Sequence, residues 1–308
     1  MLEDTKEAVG DRCGVAIRFA VDELLGDDGI ASGAEGREVV EMLAELPDLW
    51  DVNVSDWAND SVTARFGEEG DQESYVAFVK QVTSKPVVGV GRFTSADAMV
   101  SQIKRGILDM IGAARPSIAD PFLPRKIEEG RIEDIRECIG CNICVSGDWT
   151  QSPLRCTQNP TMGEEWRRGW HPEIIEHKGE SEKVLVVGAG PAGLEAAMSL
   201  GQRGYDVALA DSGDGGGRAV LESKLPGLSS YKRVSDYRLA QIAKLTNVSF
   251  FPGSEMDPAS IAEFGADQVL IATGAKWRAD GLGRVTHAPV AGIANHPEVL
   301  TPDDIMAG

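Results

Sequence analysis

The stretch Lys183-Val-Leu-Val-Val-Gly188-Ala-Gly190-Pro-Ala-Gly193-Leu-Glu-Ala-Ala197 decides how the C-terminal part of this chain folds. An apolar run of strand length meets glycines spaced G-x-G-x-x-G and opens into an alanine-rich helix. A second apolar run, Asp206–Ala210, follows and ends in Asp211. Strand, glycine turn and helix in that order form a dinucleotide fingerprint. The glycines allow the turn and a close approach to phosphate, and the acidic side chain meets the adenosine ribose. Gly188, Gly190, Gly193 and Asp211 are the candidate nucleotide residues. Gly215, Gly216 and Gly217 read either as a further approach to the nucleotide or as a flexible loop. Gln268 to Ala275 reads as another buried strand ending in small residues, and the sequence stops at Gly308, short of a second dinucleotide unit.

Upstream, Cys138-Ile-Gly-Cys141-Asn-Ile-Cys144 is closed by Cys156, a C-x2-C-x2-C-x11-C pattern that uses four of the five cysteines. Thiolates at three-residue steps can converge on one small object from a tight loop, which is how a cubane [4Fe–4S] cluster is held. A structural zinc site usually shows two separated C-x2-C hooks, and redox thiols are the third reading. Disulfides between such close neighbours would be strained. Cys13, alone before an apolar run, is expected to be a buried structural thiol.

The first 130 residues alternate strand and helix patterns. Strands are expected at Gly14–Phe19, Leu49–Ser55, Pro86–Gly91 and Asp109–Ala114, with helices at Gly36–Leu46, Glu73–Val82, Ala96–Arg105 and Phe122–Glu129. This spacing predicts parallel βαβ units. Polar residues stand where the strands end: Arg18, then Asp56, Trp57 and Asp60, then Arg92, then Arg115. In a (β/α)8 barrel that edge is the active-site face. Singly, Arg18 also reads as a solvated charge and Asp60 as a turn residue. The endings Gly89-Val-Gly91-Arg92 and Gly112-Ala-Ala114-Arg115 suit phosphate, with small residues, free N–H groups and a cation. If these are the last strands, the chain holds the C-terminal half of a barrel and needs the other half from another chain, from a second copy in a homo-oligomer, or from upstream sequence.

A formal charge of −19 argues against nucleic acid and anionic membrane surfaces. No apolar run is long enough for a membrane span or signal peptide. Free thiols as ligands fit the cytoplasm. The expected organisation is α/β throughout: a half TIM barrel over 1–130, an iron–sulfur segment over 131–172, and an incomplete dinucleotide domain over 183–308.

These motifs together resemble the iron–sulfur flavoprotein branch of the old yellow enzyme family, which holds amine dehydrogenases and 2,4-dienoyl-CoA reductases. The run Ala113-Ala-Arg-Pro-Ser-Ile-Ala-Asp-Pro-Phe-Leu-Pro124 resembles the family's last barrel strand. The cysteine quartet, with Thr157-Gln-Asn and Glu165-Trp-Arg-Arg-Gly-Trp-His-Pro172, resembles the amine dehydrogenases in particular. The resemblance implies that Arg18 meets the pyrimidine side of FMN and that Arg115 lies beside the flavin. It implies that Gly91, Arg92 and Ala114 hold the FMN phosphate, and that Gly188, Gly190, Gly193 and Asp211 hold ADP or FAD.

By the same resemblance Trp57 and Trp149 wall a bowl for a methylated amine, a cation that gains from indole faces. The bland readings are a rim cap for Trp57 and a cluster shield for Trp149. Asp60 would orient a histidine near the flavin. The implied activity is oxidation of a C–N bond in an N-methylated amine, with electrons leaving through the cluster to an electron-transferring flavoprotein. The alternatives are an NAD(P)H-dependent enoate or dienoyl reductase, and a non-catalytic electron-transfer subunit or truncated product.

Overall fold

The computed structural model describes residues 1–55, 65–149, 151–178, 182–293 and 296–307, apart from the side chains of residues 148 and 149. The chain separates into two compact units, Met1–Pro172 and Glu173–Gly308.

The first unit is built on four parallel strands in sequence order: β1 (Ala16–Asp22), β2 (Leu49–Val54), β3 (Val87–Gly89) and β4 (Met110–Ile111). An order that never reverses is the winding of a barrel, not of an open doubly wound sheet. Helices α1 (Leu2–Val9), α2 (Glu35–Leu43), α3 (Glu73–Val76), α4 (Val79–Val82), α5 (Ala96–Lys104), α6 (Ala114–Ala119) and α7 (Leu123–Glu128) accompany the strands. Trp50, Val52 and Val54 alternate along β2 into a core with Val21, Val40, Val79 and Met99. The opposite face carries Arg18, Asp51 and Asn53; Arg18 pairs in register with Asp51, 3.8 Å away, and its side chain is 68% exposed. That face alternates like a sheet with one wet side rather than a parallel sheet covered twice.

Several sequence expectations are corrected. β1 continues to Asp22, so Arg18 lies within the strand and not at its end; its ladder to Asn53 and Val54 outlasts the apolar run. Helix α6 begins at Ala114, which places Arg115 in a first helical turn. The expected helix Glu73–Val82 is two short helices. Cys13 is exposed, because the short turn Gly10–Arg12 leaves it outside the sheet.

From α7 the chain enters the cysteine segment through a buried ion pair. Lys126 is 1% exposed and Asp120 2%. The Lys126 ammonium donates to Asp120 Oδ2 at 2.7 Å and to the Asp134 carbonyl at 2.9 Å. The same Asp120 accepts the Phe122 and Arg136 N–H groups. Helices α8 (Ile143–Trp149) and α9 (Glu165–Arg168) complete the unit.

The second unit is a parallel sheet ordered β7-β6-β5-β8: β5 (Lys183–Val187), β6 (Asp206–Ala210), β7 (Val248–Phe251) and β8 (Gln268–Ile271). Helices α10 (Pro191–Gln202), α11 (Gly217–Glu222), α12 (Arg233–Ile242), α13 (Pro258–Phe264) and α14 (Pro302–Ala307) belong to it. The order reverses beside β5, the switch point where open α/β sheets bind ligands. Val184 and Val186 pack with Leu194, Ala197 and Met198 of α10. Among the described residues no helix is long and apolar enough to cross a membrane.

Candidate functional sites

In the first unit a cleft of about 160 Å³ opens beyond β3 and β4. Its wall includes Gly91, Arg92, Ala114 and Arg115 together with Cys138 and Gly140. Two expected phosphate loops and the head of the cysteine loop thus share one surface. Backbone crowding explains the small residues. Gly70 N–H donates to the Gly91 carbonyl at 2.7 Å, and a Cβ on Gly112 would come within 2.7 Å of Val90. Arg92 adopts a left-handed conformation (φ 54°), uncommon outside glycine.

Sequence reading missed three acidic or amide side chains here. Gln72 is buried, lines the cleft, and accepts the Val54 N–H at 3.1 Å, ending the β2 ladder. Burial pushes Glu69 up, but N–H and hydroxyl donors from Thr94 and Ser95 outweigh it and hold the carboxyl below its ordinary value. Burial raises the Asp71 carboxyl, opposed by Arg115 and Arg92, and its Oδ1 is buried with no hydrogen-bond partner. None of the three sits in a motif; the fold brings Gln72 to the cleft wall and sets Glu69 against Thr94 of that wall.

Cys138 and Cys144 both lie within electrostatic reach of Cys141 and Cys156, while burial pushes both thiols up and Arg115 pulls them down. Gly140 N–H points at Cys138 Sγ and Gln158 N–H at Cys156 Sγ, both at 3.4 Å. Cys141 Sγ lies 3.2 Å from Thr157 Oγ1. The Thr157-Gln-Asn triplet pins the loop: Gln158 donates to the Glu137 carbonyl and Asn159 to that of Ile118, both side chains almost fully buried. Among the described residues no three His, Cys, Asp or Glu side chains are grouped so that they could hold a metal ion.

Behind the quartet, Glu164 accepts from Arg155, Arg167 and Arg168. The Arg167 hydrogen bonds, reinforced by Arg168, lower its carboxyl from 4.5 to about 2. A depressed carboxyl stabilises the fold above its unfolded value and loses that contribution as pH falls through the folded one. Acid titration should therefore detach this segment between about pH 4.5 and about 2. In Glu164→Gln that step, followed by Trp fluorescence from Trp166 and Trp170, should be absent; an unchanged acid limb would exclude Glu164 as its source.

In the second unit the three fingerprint glycines do different work. Gly188 turns at φ 101°, and a Cβ there would overlap the Ala272 carbonyl. A Cβ on Gly193 would overlap the Gly188 carbonyl oxygen, whereas Gly190 has open space. Asp211 Oδ2 accepts the Ala189 N–H at 2.6 Å and Oδ1 the Gly213 N–H at 2.8 Å. An ionised carboxylate has about four lone-pair sites, so each oxygen keeps one for a ribose hydroxyl. The Gly215–Gly217 loop is packed on the fingerprint: Gly216 N–H donates to the Ala189 carbonyl at 2.7 Å, and a Cβ on Gly217 would meet Gly190 at 3.0 Å.

Of the remaining candidates, Asp56, Trp57 and Asp60 lie outside the described residues, as does the side chain of Trp149 at the end of α8. Arg18 is not among the residues that line the cleft.

Comparison with known proteins places this geometry. Residues 1–134 match the NADH:flavin oxidoreductase / NADH oxidase family, and residues 182–290 match the pyridine nucleotide-disulphide oxidoreductases. The chain is 45% identical to dimethylamine dehydrogenase of Hyphomicrobium sp. (strain x), covering all of this chain and 43% of that protein. It superposes with a TM-score of 0.94 and 57% identity on 6-hydroxypseudooxynicotine amine oxidase of Pseudomonas geniculata N1, covering 99% of this chain and 46% of that one. For histamine dehydrogenase of Rhizobium sp. 4-9 the TM-score is 0.89 and the identity 54%, covering 99% of this chain and 44% of that one. The chain spans less than half the length of each of these relatives. The flavin-oxidoreductase match of the first unit, the dinucleotide-type match of the second and the similarity to these proteins along this chain agree on one likeness: the chain resembles the amine dehydrogenase branch of the old yellow enzyme family.

Proposed function

We propose that this chain forms the flavin phosphate site and the electron exit of an enzyme that oxidises a C–N bond in an N-methylated amine. One observation carries the reading: Gly91, Arg92, Ala114 and Arg115 face the same cleft as Cys138 and Gly140. In this reading Arg92, Arg115 and backbone N–H groups bind the FMN phosphate, and Arg18 meets the ring. Cys138, Cys141, Cys144 and Cys156 hold a [4Fe–4S] cluster. The fit rests on donor chemistry: four soft thiols, two of them met by backbone N–H groups, suit iron–sulfur ligation. Gly188, Gly190, Gly193 and Asp211 hold ADP or FAD; the open space over Gly190 suits a pyrophosphate.

When bound, flavin and cluster supply the redox chemistry, a two-electron oxidation beside nitrogen and single-electron export. The protein binds, orients and excludes water. Trp57 and Trp149 would wall the amine site and Asp60 would orient a proton-handling partner. The acceptor would be an electron-transferring flavoprotein, in the reducing cytoplasm that suits free thiols. The wet Arg18–Asp51 face is where further barrel strands, from upstream sequence, another chain or a second copy, would close over the flavin.

The test is anaerobic purification with iron, sulfide and flavin assays, followed by addition of dimethylamine without NAD(P)H. About four irons per chain are expected, given one cluster per cysteine quartet, with amine-dependent flavin bleaching once the barrel is complete. Four irons without FMN would remove catalysis from this chain alone. NAD(P)H-driven reduction of an enone, with no response to amines, would replace the proposal with the reductase alternative.

A further inference from the structure

Asn142 stands between the cysteines of the quartet in a left-handed backbone conformation (φ 57°), which asparagine tolerates better than most residues. Its main chain and side chain have separate tasks. The backbone carbonyl starts α8 by accepting the Val145 and Ser146 N–H groups at 3.1 and 2.9 Å. The side-chain Oδ1 accepts from Arg115 Nη1 at 2.6 Å, a short contact for a neutral acceptor.

Arg115 belongs to two places at once. It lines the cleft beside Gly91, Arg92 and Ala114, and its charge reaches the Cys138 and Cys144 thiols. A long, cationic side chain between an anion site and a thiolate cluster is pulled both ways and needs an anchor. The anchor's chemistry matters. An amide oxygen is a neutral acceptor, so it holds the guanidinium without itself adding a negative charge.

We propose that Asn142 is a positioning residue for Arg115, fixing its guanidinium between the cleft and the cysteine quartet so that electron uptake at the quartet is favoured. The inference rests on the reading of the quartet as a cluster site. A fixed cation nearby favours the more negative, reduced form, and net charge is among the levers that set such potentials.

The experiment is an EPR-monitored redox titration of the full chain, reconstituted anaerobically with iron and sulfide. Asn142→Gly keeps the left-handed turn and the α8 backbone bonds but removes the amide. Its iron and sulfide content should match the parent, while its one-electron reduction equilibrium falls roughly tenfold, or 59 mV. Arg115→Gln should fall at least as far. Adding Asn142→Gly to Arg115→Gln should move it no further, because Asn142 acts through Arg115. An unchanged equilibrium in Asn142→Gly, additive shifts in the double variant, or loss of iron from Asn142→Gly would each overturn the inference while leaving the cluster reading in place. A parent chain that assembles no cluster would overturn the cluster reading and the inference with it.

Discussion

Replacing Gly193 by alanine is expected to cost the second unit at or above the roughly 3 kcal/mol upper end of ordinary overpacking. The added methyl falls on the Gly188 carbonyl oxygen and within 3.3 Å of Ala272 Cβ. Neither neighbour can retreat: Gly188 N–H bonds the Ala210 carbonyl and Ala272 N–H that of Val187, both at 2.7 Å. Separation of α10 from β5 is the only relief. Gly190→Ala is the control, since open space surrounds it and its φ of −70° suits alanine. It should fold normally and weaken ADP binding. Thermal unfolding of residues 173–308 by circular dichroism, with ADP binding by calorimetry, separates the two effects. A Gly193→Ala chain as stable as Gly190→Ala would refute the packing account.

Asp120→Ala should destabilise the first unit by about 3–5 kcal/mol, the range for stripping the partner from a buried charge. Lys126 cannot reach water from its 1% exposed position. The substitution also takes the acceptor from the Arg136 N–H, two residues before Cys138, so bound iron should fall along with the denaturation midpoint. Asp120→Ala with Lys126→Met removes both charges and should recover much of the stability, because the pair is weak against a well-packed apolar isostere. A single variant no less stable than the double one would rule out loss of the Asp120–Lys126 pair as the cause.

How legible this was in the sequence differed by site. The second unit was readable because strand, glycine turn and helix are contiguous, so local spacing encodes the site. The cysteine spacing is equally local, and Cys138 does lie on the cleft beside Arg115. The cleft was readable only in part. Gly91–Arg92 and Ala114–Arg115 showed as loops after apolar runs, but Gln72 reaches the cleft through long-range packing that no local pattern records. Arg18 was misplaced because a charged residue inside an apolar run looks like a strand end, while ladder pairing with β2 carries the strand on to Asp22. Cys13 was misjudged on residue type alone: free cysteine is usually buried, but the turn before it directs the chain outward.

The wet face of the first sheet has a consequence for biogenesis. A parallel sheet lined only with valine and isoleucine would be adhesive from the moment it formed on the ribosome. Here Arg18 and Asp51 sit side by side across β1 and β2, with Asn53 beyond them. Inward-pointing charges are a recognised guard against edge-to-edge association. The same polar lining that suits a ligand-facing surface also keeps this face hydrated for as long as nothing covers it.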